Sequence, residues 1–249
     1  MSVAADNRRL AYLQAIGVQA WRAHVRRPAI APEPVTDAVA AKVAASDDAE
    51  VASAALPGNW VQLREQVQSC TRCALHAGRK QTVFGVGNQG ADWLIVGEAP
   101  GAEEDRQGEP FVGRAGQLLN AMLGAIGLTR ETVYIANILK CRPPGNRDPK
   151  PAEVASCTPY LDAQILLLRP RIILAVGRIA AQHLLRTDAP LARLRGRVHH
   201  YGTAATALVV TYHPAYLLRS PADKRKAWED LKFARSTLAA LQPVKSHGG

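Results

Sequence analysis

The sequence is poor in aromatic residues, in cysteine and in long apolar runs. Phe, Trp and Tyr together make up 5% of the 249 residues, and Met occurs twice. No run of about 18 apolar residues is present, so no membrane span is expected. Arg8 and Arg9 are followed by the mixed stretch 10–21 instead of an apolar core. No secretory signal is read there, and the cytoplasm is the expected location. In that compartment four cysteines do not make a disulfide framework. Acidic residues are also in deficit, 21 Asp+Glu against 31 Lys+Arg, for a net charge of +10. Residues 1–56 carry six of each sign, so the whole basic excess falls in residues 57–249. A basic folded region favours a polyanionic partner, nucleic acid above all, although a solvated basic surface has the same composition.

Apolar residues make up 47% of the chain, enough for a sizeable core. Residues 7–22 read as a short amphipathic helix, and 27–57 form an Ala/Pro-rich stretch without a period. This divides the chain into an amphipathic N-terminal peptide (1–26), a linker (27–57) and a folded domain (58–243). Within the domain, short apolar runs alternate with helical patterns. Strands are expected at 92–96, 133–138, 171–176 and 208–212. Helices are expected at 60–69, 115–127, 151–169, 178–186 and 222–241, with Pro151 placed well at a helix start. Such alternation predicts an α/β three-layer sandwich, a four-stranded parallel sheet flanked by helices.

In parallel sheets ligands bind beyond the carboxyl ends of the strands. The first strand runs into Gly97-Glu98-Ala99-Pro100-Gly101, a tight turn that is no phosphate-binding loop, since Gly-Lys-Ser/Thr is missing. The second ends near Asn137 and the fourth at His213. Glu98, Asn137 and His213 should therefore meet on one rim, within reach of Phe111. Each has a bland reading, as a helix cap, a strand-end amide or a packed imidazole. Three polar groups at three strand ends beside an aromatic ring point instead to a site. Cys70 and Cys73 form a C-x-x-C pair, and Cys141 and Cys157 complete a set that suits a tetrathiolate metal site, zinc and iron–sulfur both being open.

The ordered motifs GEAPG, PFVGRAGQLL, YIANILKCRPPGNRDP and HPAYLL resemble those of the family 4, iron–sulfur uracil-DNA glycosylases of base-excision repair. The resemblance covers residues 60–240. It implies a monomeric enzyme acting on uracil in single- or double-stranded DNA, nucleoid-associated in the cytoplasm. It implies that Phe111 stacks on a flipped uracil, that Asn137 reads it, and that Gly97 and Glu98 line the base and sugar. His213 would face uracil O2, which makes Glu98 and His213 the catalytic candidates. Leu217, Leu218 and Arg219 would contact DNA. Cys70, Cys73, Cys141 and Cys157 would hold a [4Fe–4S] cluster. Ala99 stands where many members of the wider superfamily carry a water-positioning Asp, and Gly101 where some carry a Tyr against thymine. A relative that traps uracil-DNA covalently is disfavoured, because 142–150 contains no histidine. A non-enzymatic accessory protein would have little reason to combine these residues. Residues 8–28 resemble the N-terminal peptide of the clamp-loader psi subunit, which implies a tether to the replication machinery. Retention of the clamp loader by a peptide of residues 1–30 tests that contact.

Overall fold

The computed structural model describes residues 58–241. The expected N-terminal peptide, the linker and the psi-like segment 8–28 lie outside the described residues. In chain order the elements are α1 (Trp60–Gln68), β1 (Val86–Gly87), β2 (Trp93–Gly97), α2 (Ala102–Gln107), α3 (Arg114–Ala125), β3 (Tyr134–Asn137), α4 (Pro151–Leu168), β4 (Ile172–Val176), α5 (Arg178–Leu185), α6 (Leu191–Leu194), β5 (His199–Tyr201), β6 (Thr206–Thr211), α7 (Pro214–Arg219) and α8 (Lys224–Ala240).

Every residue of β2, β3 and β4 is buried. Alternate residues serve opposite faces of the sheet. Leu94, Val96, Ile173 and Ala175 join one core with Leu63 and Val67 of α1, Leu161 of α4 and Ala181 of α5. Trp93, Ile95, Leu174 and Val176 join the other with Leu119 and Leu123 of α3, Leu217 of α7 and Leu231 of α8. Two apolar faces, each covered by helices, make the three-layer sandwich that the alternating pattern predicts. No helix among the described residues is long and apolar enough to cross a membrane.

The sheet has six strands in the order β1-β3-β2-β4-β6-β5. Its middle is the expected parallel set β3-β2-β4-β6. The edges extend the expectation: β1 and β5 pair antiparallel to β3 and β6. Both are short, and short edge strands offer little to a foreign chain. From β2 the chain crosses to β3 on one side, and from β4 to β6 on the other. The reversal between β2 and β4 is a topological switch point, where a crevice opens beyond the strand ends.

Local signals set the helix boundaries. Asn59 caps α1, its Oδ1 accepting from Gln62 N–H at 2.9 Å. Pro151 opens α4, and Glu153 reaches back to the Lys150 N–H at 2.8 Å. Pro214 opens α7, a helix in a stretch that reads from sequence as a loop.

Candidate active site

Residues at and beyond the ends of β2, β3 and β6 surround a cleft of about 420 Å³, which Glu98, Glu104, Phe111, Asn137, His213 and Arg219 help to line. The four residues expected on one rim, Glu98, Phe111, Asn137 and His213, thus share one cavity.

Asn137 is the last residue of β3 and pairs in register with Gly97 of β2. Its side chain is 2% exposed, and its Oδ1 is a buried oxygen without a hydrogen-bond partner. Such an atom costs about 1–3 kcal/mol, so a group that donates to it would be favoured. Gly97 makes this placement possible. A Cβ there would overlap Asn137 Oδ1 and lie 2.6 Å from Phe111 Cζ.

Phe111 holds a left-handed backbone, with φ of 56°. For a non-glycine residue this is strained and must be imposed by its surroundings. Arg130 donates to the carbonyl oxygens of Phe111 at 3.1 Å and Pro110 at 2.8 Å. Gly116 of α3 underlies the same peptide, and a Cβ there would overlap the Phe111 carbonyl. Glu104 completes the clamp. Its carboxylate accepts from Gly101 N–H at 3.1 Å, Val112 N–H at 3.0 Å and Gly113 N–H at 3.1 Å. One side chain thereby ties the turn after β2 to the loop that carries Phe111.

His213 caps α7, and its Nδ1 accepts from Ala215 N–H at 3.1 Å. In a neutral imidazole the proton must then sit on Nε2, leaving that N–H free to donate. Burial pushes the His213 pKa down to about 4, Arg219 adds to the shift and Glu104 opposes it. The ring is therefore neutral near pH 7. Its centroid lies 5.6 Å from that of Phe111. Glu98 moves the other way. Burial, with Asp148 adding and Arg178 opposing, raises it to about 7. Asp148 is itself paired with Arg178 at 3.0 Å.

A second cavity lies among α1, α4 and the segment that follows β3. Cys70, Cys73, Cys141 and Cys157 all line it, none of them in a disulfide. Among the described residues no three His, Cys, Asp or Glu side chains gather closely enough to chelate a single ion. Donors point at the sulfurs: Arg79 Nη1 to Cys141 at 3.2 Å, the Lys140 N–H to Cys157 at 3.2 Å and the Arg72 N–H to Cys70 at 3.5 Å. Burial pushes the Cys157 thiol up to about 11, with Lys140 opposing, and raises Cys141 as well, with Arg79 opposing. Buried thiols of this kind are inert unless a metal deprotonates them. Four thiols around one space, with N–H donors on three of the sulfurs, fit an iron–sulfur cluster held by four cysteines.

One expected contact residue is misplaced. Leu217, anticipated at the DNA surface, is fully buried. Pro214 and Leu217 lie three apart on α7, so both face the core, while Leu218 and Arg219 turn outward. Withdrawing Leu217 would cost about 1.5–3 kcal/mol of apolar burial. Glu104 was readable only as one of three consecutive acids. The signal that could have singled it out is its position three residues after Gly101, the capping-box spacing.

Comparison with known proteins identifies relatives of this chain. The profile of the uracil DNA glycosylase superfamily matches residues 84–232. The type-4 uracil-DNA glycosylase of Archaeoglobus fulgidus is 43% identical over 186 residues, covering 72% of this chain and 93% of that protein. That of Pyrobaculum aerophilum is 44% identical over 176 residues, covering 68% and 90%. That of Thermotoga maritima is 42% identical over 175 residues, covering 69% and 91%. With the superfamily profile matched over residues 84–232 and type-4 enzymes 42–44% identical along most of their own length, the chain belongs to the uracil DNA glycosylase superfamily, on the type-4 branch.

Proposed function

We propose that the chain hydrolyses the N-glycosidic bond between a flipped-out uracil and deoxyribose in DNA, leaving an abasic site. The observation that carries this reading is the partnerless Oδ1 of Asn137 in the cleft wall. Uracil N3–H is the donor it lacks, while the amide NH₂ donates to uracil O4. Cytosine presents an acceptor at N3 and a donor at C4, which leaves both amide groups unsatisfied. The base must leave the stack to reach this depth. Phe111 supplies a face for it to stack on.

As the bond breaks, negative charge grows on uracil O2 and positive charge on the sugar. The Nε2–H of His213, fixed by the Nδ1 contact to Ala215, stabilises the anion as a neutral donor. Glu98 faces the sugar side and stabilises the cation or positions water. It works there as a carboxylate, so the acidic limb of the kcat/KM profile should fall near pH 7, its shifted pKa. Glu98→Gln should abolish that limb along with most of the rate. Full single-turnover activity in this variant would remove Glu98 from the mechanism. Since burial raises the Glu98 pKa, its charged form costs stability as pH rises through about 4.5 to 7. Glu98→Gln should accordingly melt higher than the parent at pH 8.

Cys70, Cys73, Cys141 and Cys157 hold a [4Fe–4S] cluster in this reading. When bound it supplies a structural cross-link, because base excision moves no net electrons. Leu218 and Arg219, on the outward side of α7, contact the minor groove and a phosphate. The function is tested by incubating the protein with uracil-containing oligonucleotides and cytosine- or thymine-containing controls. Alkali-labile sites confined to the uracil strand are expected. A stable protein–DNA adduct, or intact uracil strands with iron-loaded protein, would overturn the reading.

A further inference from the structure

Lys140 lies between Asn137, the uracil reader, and Cys141 in the sequence, and it is 1% exposed. Its Nζ donates to the Asn137 carbonyl oxygen at 2.8 Å and to Gln164 Oε1 at 2.6 Å. Its own N–H donates to Cys157 Sγ at 3.2 Å. Gln164, also fully buried, is anchored in turn, its Nε2 donating to the Phe84 carbonyl at 2.9 Å and to the Tyr134 hydroxyl at 3.3 Å. The lysine therefore touches the main chain of the uracil reader and the sulfur cradle at once.

Its charge has no ordinary partner. Among the described residues, none of the ion pairs involves Lys140. Burying an unpaired ammonium costs several kcal/mol, and proteins avoid it unless an anion is supplied. The cavity ringed by the cysteines is also lined by Lys140, Arg72 and Arg79, and by no carboxylate. A cavity with three cations and four thiols is built for an anion. A cluster held by four thiolates carries net negative charge, so it supplies the missing partner.

We propose that Lys140 is a positioning residue that couples the cysteine cradle to uracil recognition. The anionic cluster holds the ammonium in place, and the ammonium holds the Asn137 main chain, so that the side-chain amide faces the base. Gln164 is the second anchor of the same ammonium. Loss of the cluster would then loosen the uracil reader without touching it. This inference rests on the cluster reading above.

The test uses the full-length chain, purified anaerobically, with Lys140→Met, Gln164→Leu and Arg79→Met variants. Four properties are measured: iron and sulfide content, cluster midpoint potential, affinity for free uracil, and kcat and KM on a uracil oligonucleotide. Lys140→Met should keep its cluster but show a more negative midpoint, because a positive charge that favours the reduced form is gone. A tenfold change in that equilibrium is about 59 mV for a one-electron couple. Free-uracil affinity should fall about tenfold, and KM should rise more than kcat falls. Arg79→Met, which touches Cys141 and not Asn137, should move the potential the same way and weaken uracil binding less. Gln164→Leu should weaken uracil binding with a smaller shift in potential. Iron-loaded Lys140→Met with parental uracil affinity, or with an unmoved potential, overturns the proposal. If Lys140→Met does not fold, parental uracil affinity in Gln164→Leu overturns it. Parent protein free of iron and sulfide would instead defeat the cluster reading, which separates the two failures.

Discussion

Replacing His213 with alanine is expected to slow uracil release in single turnover by about 10²–10³-fold, the usual cost of losing one preorganised donor to a developing anion. The loss should fall mainly on kcat, because charge on O2 exists only as the bond breaks. Two features place the donor before substrate arrives: packing against Phe111, and the Nδ1 bond to Ala215 by which the ring caps α7. Neither has to be organised during the reaction. The pH dependence is a second check. A histidine held at about 4 is neutral from pH 5 to 8, so no step at the ordinary imidazole value near 6.5 should appear in the parent profile. An inflection near 6.5 that disappears with His213→Ala would contradict the neutral donor.

The second large effect is predicted for a single added methyl group. Gly97→Ala should reduce kcat/KM by about 10²-fold, the scale associated with a 1 Å misplacement of reacting groups. The new Cβ would overlap Asn137 Oδ1 and come within 2.6 Å of Phe111 Cζ and 2.7 Å of Phe111 Cε2. The reader and the stacking ring must both move, and neither moves freely. Asn137 ends a buried strand, and Phe111 is clamped by Arg130 and Glu104. The contacted atoms border the cleft, so the fold should survive, with the far-ultraviolet spectrum unchanged and free-uracil binding strongly weakened. Parental uracil affinity in Gly97→Ala would show that the cleft is looser than its packing indicates.

The framework of this enzyme could be read from sequence because its strands are apolar at nearly every position. Runs such as Ile172–Val176 satisfy both faces of a parallel sheet and admit few other placements. Residues at the ends of such strands, Glu98, Asn137 and His213 among them, are then forced onto one rim by topology. What escaped reading depends on contacts distant in the chain. β1 and β5 are two and three residues long, and they exist only because β3 and β6 present open edges. Leu217 gives no sign of its burial in the sequence, because the helix opened by Pro214 is six residues long, too short to show a period. Glu104 stands among three consecutive acids, and its partners at Val112 and Gly113 lie eight and nine residues away. The Asp148–Arg178 pair beside Glu98 spans thirty residues and leaves no local signature.

The backbone of Phe111 bears on how this pocket can be redesigned. Its left-handed conformation is secured by Gly116 and Arg130, neither of which is counted among the residues lining the cleft. Libraries aimed at other damaged bases would sensibly vary Ala99 and Ala115, whose small side chains border the space directly. Diversity at Gly116 would be wasted. Any side chain there strikes the carbonyl of Phe111, so the stacking wall would be lost before a new specificity could be selected.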